Sequence, residues 1–280
     1  MPSRWAIVLI LVVMLILGCG GMVSIKKDES DLERSVCGFL REPLAFWLFR
    51  RAAGTPDARR VSSIRDIEPL SFMTGDGRRL GGYKLRAVAP QGYLLVAQGN
   101  AMLADQIADE LQFFRDLGLD VYLYDYRGYG LSEGKSRLKA IVSDYQKIIA
   151  RLSVQGYRHR FLYGISMGGI ILLNAVGAKG DYDALVIDSS PSRISPLGCS
   201  EEYDPVNHLP ADCSRIKIIG GLRDRVMRPE EMEELERLAQ NRDAQVLKHP
   251  DFAHPFQDAS SEIHRRRFQE VADFLARRKP

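Results

Sequence analysis

Phe161-Leu162-Tyr163-Gly164-Ile165-Ser166-Met167-Gly168-Gly169 is the stretch whose reading decides the fold of this chain. An apolar run enters a Gly-x-Ser-x-Gly turn, and Ile170-Ile171-Leu172-Leu173-Asn174-Ala175-Val176 leaves it as an apolar, helix-like segment. A strand, a sharp turn at a serine and a helix together expose a nucleophilic hydroxyl. The glycines answer a steric demand, because a Cβ at position 164 or 168 would press on the adjoining backbone. The serine then stands above a sheet edge, with a helix N-terminus beneath it.

Outward from this turn, the chain alternates strand and helix signals. Residues 64–74 and 80–88 read as strands joined by Gly75-Asp76-Gly77, a hairpin signal. Short apolar strands follow at 93–97, 121–124, 160–163, 184–187, 216–219 and 244–247. Between them, 101–117, 138–152, 229–240 and 262–278 carry helical spacing, for example Ile107, Leu111, Phe114 and Leu117. Pro229 and the acidic residues after it suit a helix start. This alternation predicts an α/β architecture: a mainly parallel sheet covered on both faces, with antiparallel strands at the edge where the hairpin sits.

A nucleophilic serine needs a base, and the base needs a group to orient it. Asp224 follows the 216–219 strand through Gly220-Gly221-Leu222-Arg223, and His254 lies in the loop after the 244–247 strand. Both positions fit the carboxyl edge of a parallel sheet, where the serine turn also ends. Asp188 and His249 are the competing acid and base. Asp224 is preferred for its turn-rich approach, and His254 because His249 sits too near its strand end to reach the serine. His159, His208 and His264 read as surface or structural residues. An oxyanion hole needs two backbone N–H groups. Met167, directly after the serine, is one candidate; Asn100, after Gln98-Gly99, is the other, with Ala101 next.

Together these residues resemble the α/β-hydrolase-fold serine hydrolases, specifically the group of membrane-associated α/β-hydrolase-domain depalmitoylases and their bacterial homologues. The resemblance rests on Gln98-Gly99-Asn100-Ala101, on the run from Tyr124 through Asp125-Tyr126-Arg127-Gly128-Tyr129-Gly130-Leu131-Ser132-Glu133-Gly134, on Gly164-Ile165-Ser166-Met167-Gly168-Gly169, and on Asp224 and His254. It covers the chain from about Ile64 to its end. It implies the chain order Ser, Asp, His and acyl transfer without a cofactor. Histidine is usual in that group where this chain has Gln98; the change alters loop hydrogen bonding and leaves the chemistry intact. Tyr126, Arg127 and Tyr129 are expected to support the site as part of a structured loop.

The segment between Ser189 and Ser214 is too short for a large helical lid and predicts a small cap. An open site of that kind suits small-molecule or lipid acyl esters and thioesters. An amidase or peptidase would use the same triad. A non-catalytic, membrane-anchored binding protein is the reading from a different class, and the intact Ser, Asp and His argue against it.

The N-terminus stands apart. Arg4 precedes the apolar run from Trp5 to Leu17, which ends in Gly18-Cys19. This is either a secretory signal resembling a bacterial lipobox, with lipid attached to Cys19, or an uncleaved anchor. Either attaches the protein to a membrane outside the cytosol. Residues 1–23 therefore form the targeting segment, 24–60 a linker and an apolar-basic helix over 32–51, and 61–280 the α/β-hydrolase domain. That helix could lie on a membrane surface or, as preferred, pack on the domain. In an exported chain Cys199 and Cys213 could form a disulfide, leaving Cys37 unpaired; alternatively all three are buried thiols. A net charge of +3 with no long basic run argues against nucleic acid, and no ligand spacing suggests a metal site.

Overall fold

A computed structural model describes residues 31–177 and 180–278. Cys19 and the apolar run around it lie outside the described residues. Among the described residues no helix is long and apolar enough to cross a membrane. From Leu32 onward the chain forms one compact unit.

The sheet contains β1 (Ile67–Met73), β2 (Arg79–Leu85), β3 (Gly92–Ala97), β4 (Leu119–Tyr124), β5 (His159–Ile165), β6 (Ala184–Asp188), β7 (Ile216–Gly221) and β8 (Gln245–His249). Their spatial order is β1-β2-β4-β3-β5-β6-β7-β8. The hairpin supplies the antiparallel edge, and β4, β3 and β5 to β8 run parallel. Strands β3 to β7 are almost entirely buried, which is why they read as continuous apolar runs. β1 is half-exposed and alternates, as a strand with one wet face does. The chain leaves β3 for β4 on one side and later returns to β5 on the other. That reversal opens a crevice at the carboxyl ends of β3 and β5.

Among the described residues, six helices accompany the sheet: α1 (Arg41–Ala53), α2 (Ala104–Asp116), α3 (Leu138–Ser153), α4 (Met167–Val176), α5 (Pro229–Gln240) and α6 (Ser261–Ala276). α2 and α6 fill one face through Ile107, Leu111, Phe114, Phe268, Val271 and Phe274. α3, α4 and α5 fill the other, with Ile141, Ile148, Leu172 and Leu235, and Phe46 of α1 joins this second core. The cap between β6 and β7 consists of short turns of 3-10 helix, Ser195–Leu197, Glu201–Tyr203 and Pro205–His208. The Asp204 carboxylate ties it together, accepting from the Ile194 and Ser195 amides at 2.7 and 2.8 Å and from Ser195 Oγ at 2.7 Å.

Three expectations are corrected. The helix expected over 32–51 becomes α1, starting only at Arg41. Gly38, at φ +86°, turns the chain first. Glu42 is buried and accepts from Ser35 Oγ at 2.8 Å, from the Val36 and Cys37 amides at 2.6 and 3.0 Å, and from the Leu138 amide at 2.7 Å. These bonds fix the preceding segment as a loop wrapped on a carboxylate. The helix expected from Ala101 begins at Ala104, because Ala101 holds φ +57°. The expected Cys199–Cys213 disulfide does not form. Cys199 pairs with Cys37, 162 residues away, with an S–S distance of 2.06 Å, and Cys213 is a buried free thiol whose Sγ lies 3.4 Å from the Pro210 carbonyl. Proximity of the cap to the segment before α1 decides the pairing, and sequence spacing carries no record of it.

Candidate active site

Ser166 ends β5 and caps α4, with φ +53° and ψ −116°. For a residue with a Cβ this left-handed geometry is strained, and the surroundings must hold it. They do so by close approach. The Ser166 N–H donates to the Asp188 carbonyl at 2.8 Å. A Cβ on Gly164 would lie 2.8 Å from the Gly168 backbone, and one on Gly168 would collide with the Ala97 carbonyl. The register sets Ala97 beside Gly164 and Ile165 beside Asp188, so β3, β5 and β6 close around the turn.

His254 and Asp224 come together as expected. His254 Nδ1 lies 2.9 Å from Asp224 Oδ2. An ionised carboxylate only accepts, so Nδ1 carries the proton and the Nε2 lone pair is left to act as a base. Asp224 Oδ1 accepts from the Val226 and Met227 amides at 2.9 and 2.8 Å. Burial opposes ionisation of Asp224, but the His254 hydrogen bond and the Met227 amide outweigh it and hold its carboxyl below the usual value. Ser166, Asp224 and His254 are all buried at the carboxyl edge of the sheet. No hydrogen bond closes the Ser166–His254 leg among the described residues; such legs commonly tighten only around substrate.

The turn after β3 packs on the serine: a Cβ on Gly99 would lie 3.8 Å from Ser166 Cβ. Asn100 Oδ1 accepts from the Ala101 amide at 2.9 Å and from Tyr129 Oη at 3.1 Å. That leaves the Asn100 and Met167 amides unengaged among the described residues, as an oxyanion hole requires, while Ala101 is committed. Tyr126 Oη donates to the Gln98 carbonyl. Asp125 accepts from the Ala104 and Leu131 amides at 2.8 and 2.9 Å. Arg127 donates to Asp144 at 2.9 Å and Asp76 at 2.9 Å. The 125–134 loop thus braces the turn after β3.

The competing side chains have other partners. Asp188 is fully buried, accepts from Tyr163 Oη at 2.8 Å, and pairs with Arg267 at 2.7 Å. His249 stacks on Phe252. His159 stacks on Phe161, and His208 lies 2.6 Å from the Glu202 carbonyl. His264 pairs with Glu110 and Asp258 at 2.5 and 3.4 Å, in a cleft of about 460 Å³ between α2 and α6 whose lining does not include Ser166.

Arg267 is a residue that sequence reasoning missed. Its guanidinium is fully buried over the Phe252 ring and binds Asp188, both oxygens of Asp258 at 3.0 Å, and the Ala253 carbonyl. It therefore ties the residue that receives the Ser166 amide to the residue before His254. The signal was helical phase: Arg267 shares a face with Val271, Phe274 and Leu275, which its neighbours Arg265 and Arg266 do not.

Above Ser166 lies an apolar cavity of about 270 Å³, walled by Phe46 and Phe49 of α1, Met167 and Ile170 of α4, Ile194 and Leu197 of the cap, and the Cys37–Cys199 disulfide.

Comparison with solved structures decides the fold. An esterase from Pyrococcus furiosus superposes with a TM-score of 0.62 at 16% identity, covering 75% of this chain and 92% of the esterase. The chain has the α/β-hydrolase fold. A family profile described as serine aminopeptidase, S33, matches residues 88–209, a span that includes Asn100 and Ser166. The chain is also 32% identical to a monoacylglycerol lipase of Mycolicibacterium smegmatis, over 44% of this chain and 50% of the lipase. It is 27% identical to the α/β hydrolase domain-containing protein 17B of Xenopus laevis, over 58% and 60%.

Proposed function

We propose that this chain is a serine hydrolase that cleaves carboxylic esters or thioesters through an acyl-enzyme. The observation that carries this reading is the Asp224–His254 pair, set at the same sheet edge as a strained Ser166 turn with two unengaged amides beside it. His254 Nε2 takes the Ser166 proton as Oγ bonds to the acyl carbon. The Asn100 and Met167 amides hold the oxyanion, and Asp224 steadies the imidazolium. The leaving alcohol or thiol departs with the proton from His254. Water, deprotonated by the same nitrogen, then attacks the acyl carbon; the acid leaves and Ser166 regains its proton.

The aminopeptidase description of the matching family gives an amide reading a place. Recognition of a substrate amine would need a free carboxylate. Glu42, an acidic residue lining the cavity, spends both oxygens on Ser35, Val36, Cys37 and Leu138. The apolar walls suit an acyl chain instead, and the volume suits one of modest length. A panel of p-nitrophenyl esters of rising chain length, acyl thioesters and aminoacyl anilides tests this. Ester or thioester turnover that Ser166→Ala lowers by about four orders of magnitude or more supports the reading. Turnover of anilides alone would contradict it.

An exported, membrane-attached site of action goes with this reading. The Cys37–Cys199 disulfide fits an oxidising compartment, and the Arg4 to Cys19 segment fits export. Mass spectrometry of the mature N-terminus separates a chain beginning at lipidated Cys19 from an uncleaved anchor.

A further inference from the structure

Helix α1 has two apolar faces, and only one of them is covered. Phe46 is buried, and Phe49 joins it in the wall of the cavity over Ser166. Leu44, Trp47 and Leu48, at helical spacings of three and four, point outward and are 57%, 46% and 51% exposed. Phe39 and Leu40 extend this patch ahead of the helix, at 82% and 71% exposure. Scattered exposed leucines are ordinary; five large exposed apolar residues gathered between Phe39 and Leu48 mark an interaction surface.

Charge identifies what covers it. At the far end of the patch a shallow hollow of about 350 Å³ is lined by Trp47, Arg50 and Arg51. The Arg51 guanidinium lies 5.4 Å from the Trp47 ring centre, while Arg50 turns inward, its Nε buried and its Nη1 donating to the Gly128 carbonyl at 3.4 Å. The apolar face thus ends in the exposed guanidinium of Arg51. It complements a layer of acyl chains under anionic phosphate headgroups. The chain also begins with an apolar run, Trp5 to Leu17, a short way before α1 in sequence. Leu197, which lines the cavity, is itself 65% exposed, so the apolar lining reaches the surface beside α1.

We propose that the outer face of α1 seats on an anionic lipid bilayer and that the cavity on its inner side receives a single acyl chain drawn from that bilayer. The second half rests on the hydrolase reading above; the first does not.

The full chain carrying Trp5→Phe keeps Trp47 as its sole tryptophan. It is reconstituted in vesicles of phosphatidylcholine, with or without phosphatidylglycerol. The expected result is a blue-shifted Trp47 emission, quenched by lipids with brominated acyl chains and more strongly in the anionic vesicles. Quenching by aqueous acrylamide without quenching by bromolipid overturns the docking. So does protection from both, which would place the chain's own N-terminal segment or a second copy over α1. In a second arm, Leu44→Ser with Leu48→Ser is assayed on a monoacyl ester held in vesicles and on soluble p-nitrophenyl acetate. A loss of about tenfold on the vesicle-borne ester, with the soluble ester unchanged, is expected from the lost apolar burial. Equal losses on both overturn the delivery of substrate by α1. A wild-type chain that hydrolyses neither ester overturns the hydrolase reading, and the delivery with it, while Trp47 quenching still decides the docking.

Discussion

Ser166 holds a backbone geometry that a serine disfavours because three strands and two glycines leave the turn no other place. That makes the glycines as consequential as the serine they hold. Gly168→Ala pushes a methyl group into the Ala97 carbonyl and should destabilise the fold by about 3 kcal/mol or more, or abolish soluble expression; urea denaturation checks this. Asp224 is a different case, since the role proposed for it is orientation. Asp224→Asn keeps the shape but reverses the proton preference at His254 Nδ1, so kcat should fall about ten-thousandfold with little change in stability. These residues were legible in the sequence because a serine turn, an acid and a base must each follow a strand. The turn-rich approach favours Asp224 over Asp188; in the structure His254 pairs with Asp224, while Arg267 pairs with Asp188.

Among the elements, α6 does more than close the sheet. Arg267 projects from it between Asp188 and Asp258, and removing it strands two buried carboxylates. Arg267→Met should cost about 3–5 kcal/mol in chemical denaturation. Arg267→Lys should recover stability only in part, because an ammonium cannot bridge both partners as a fork. His264 on the same helix gives a pH signature. Its burial favours the neutral ring, but Asp258 and Glu110 prevail and raise its pKa from 6.5 to about 9. A group raised on folding contributes stability fully below its unfolded value and loses it as pH rises through the folded one. The contribution, at most about 3 kcal/mol, is therefore present below pH 6.5 and gone above about pH 9. Thermal unfolding should show Tm falling across that interval, and His264→Gln should flatten the fall. Strands were legible because burial on both faces writes itself as apolar runs. The start of α1 and the disulfide were not. One depends on Glu42 reaching amides before it and after it in the chain, the other on a contact across 162 residues. Cys37→Ser should destabilise the protein by about 2–5 kcal/mol, whereas Cys213→Ser should leave the reductant sensitivity of Tm intact.

At the scale of the whole molecule, the reversal of strand order at β3 explains why the site lies where it does. Asn100 follows β3 and Ser166 follows β5, on either side of the crevice that reversal opens. Asp224 and His254 arrive after β7 and β8 at the same edge. α1 and the cap then roof the crevice with apolar side chains, and the disulfide between them closes the wall. Everything in this account converges on one activated oxygen. The most direct measurement is labelling of the intact protein with a fluorophosphonate, followed by peptide mapping of the adduct. The account predicts a single covalent adduct on Ser166, lost in Ser166→Ala and strongly slowed in His254→Ala. An adduct on another residue, or labelling that persists in Ser166→Ala, would contradict it.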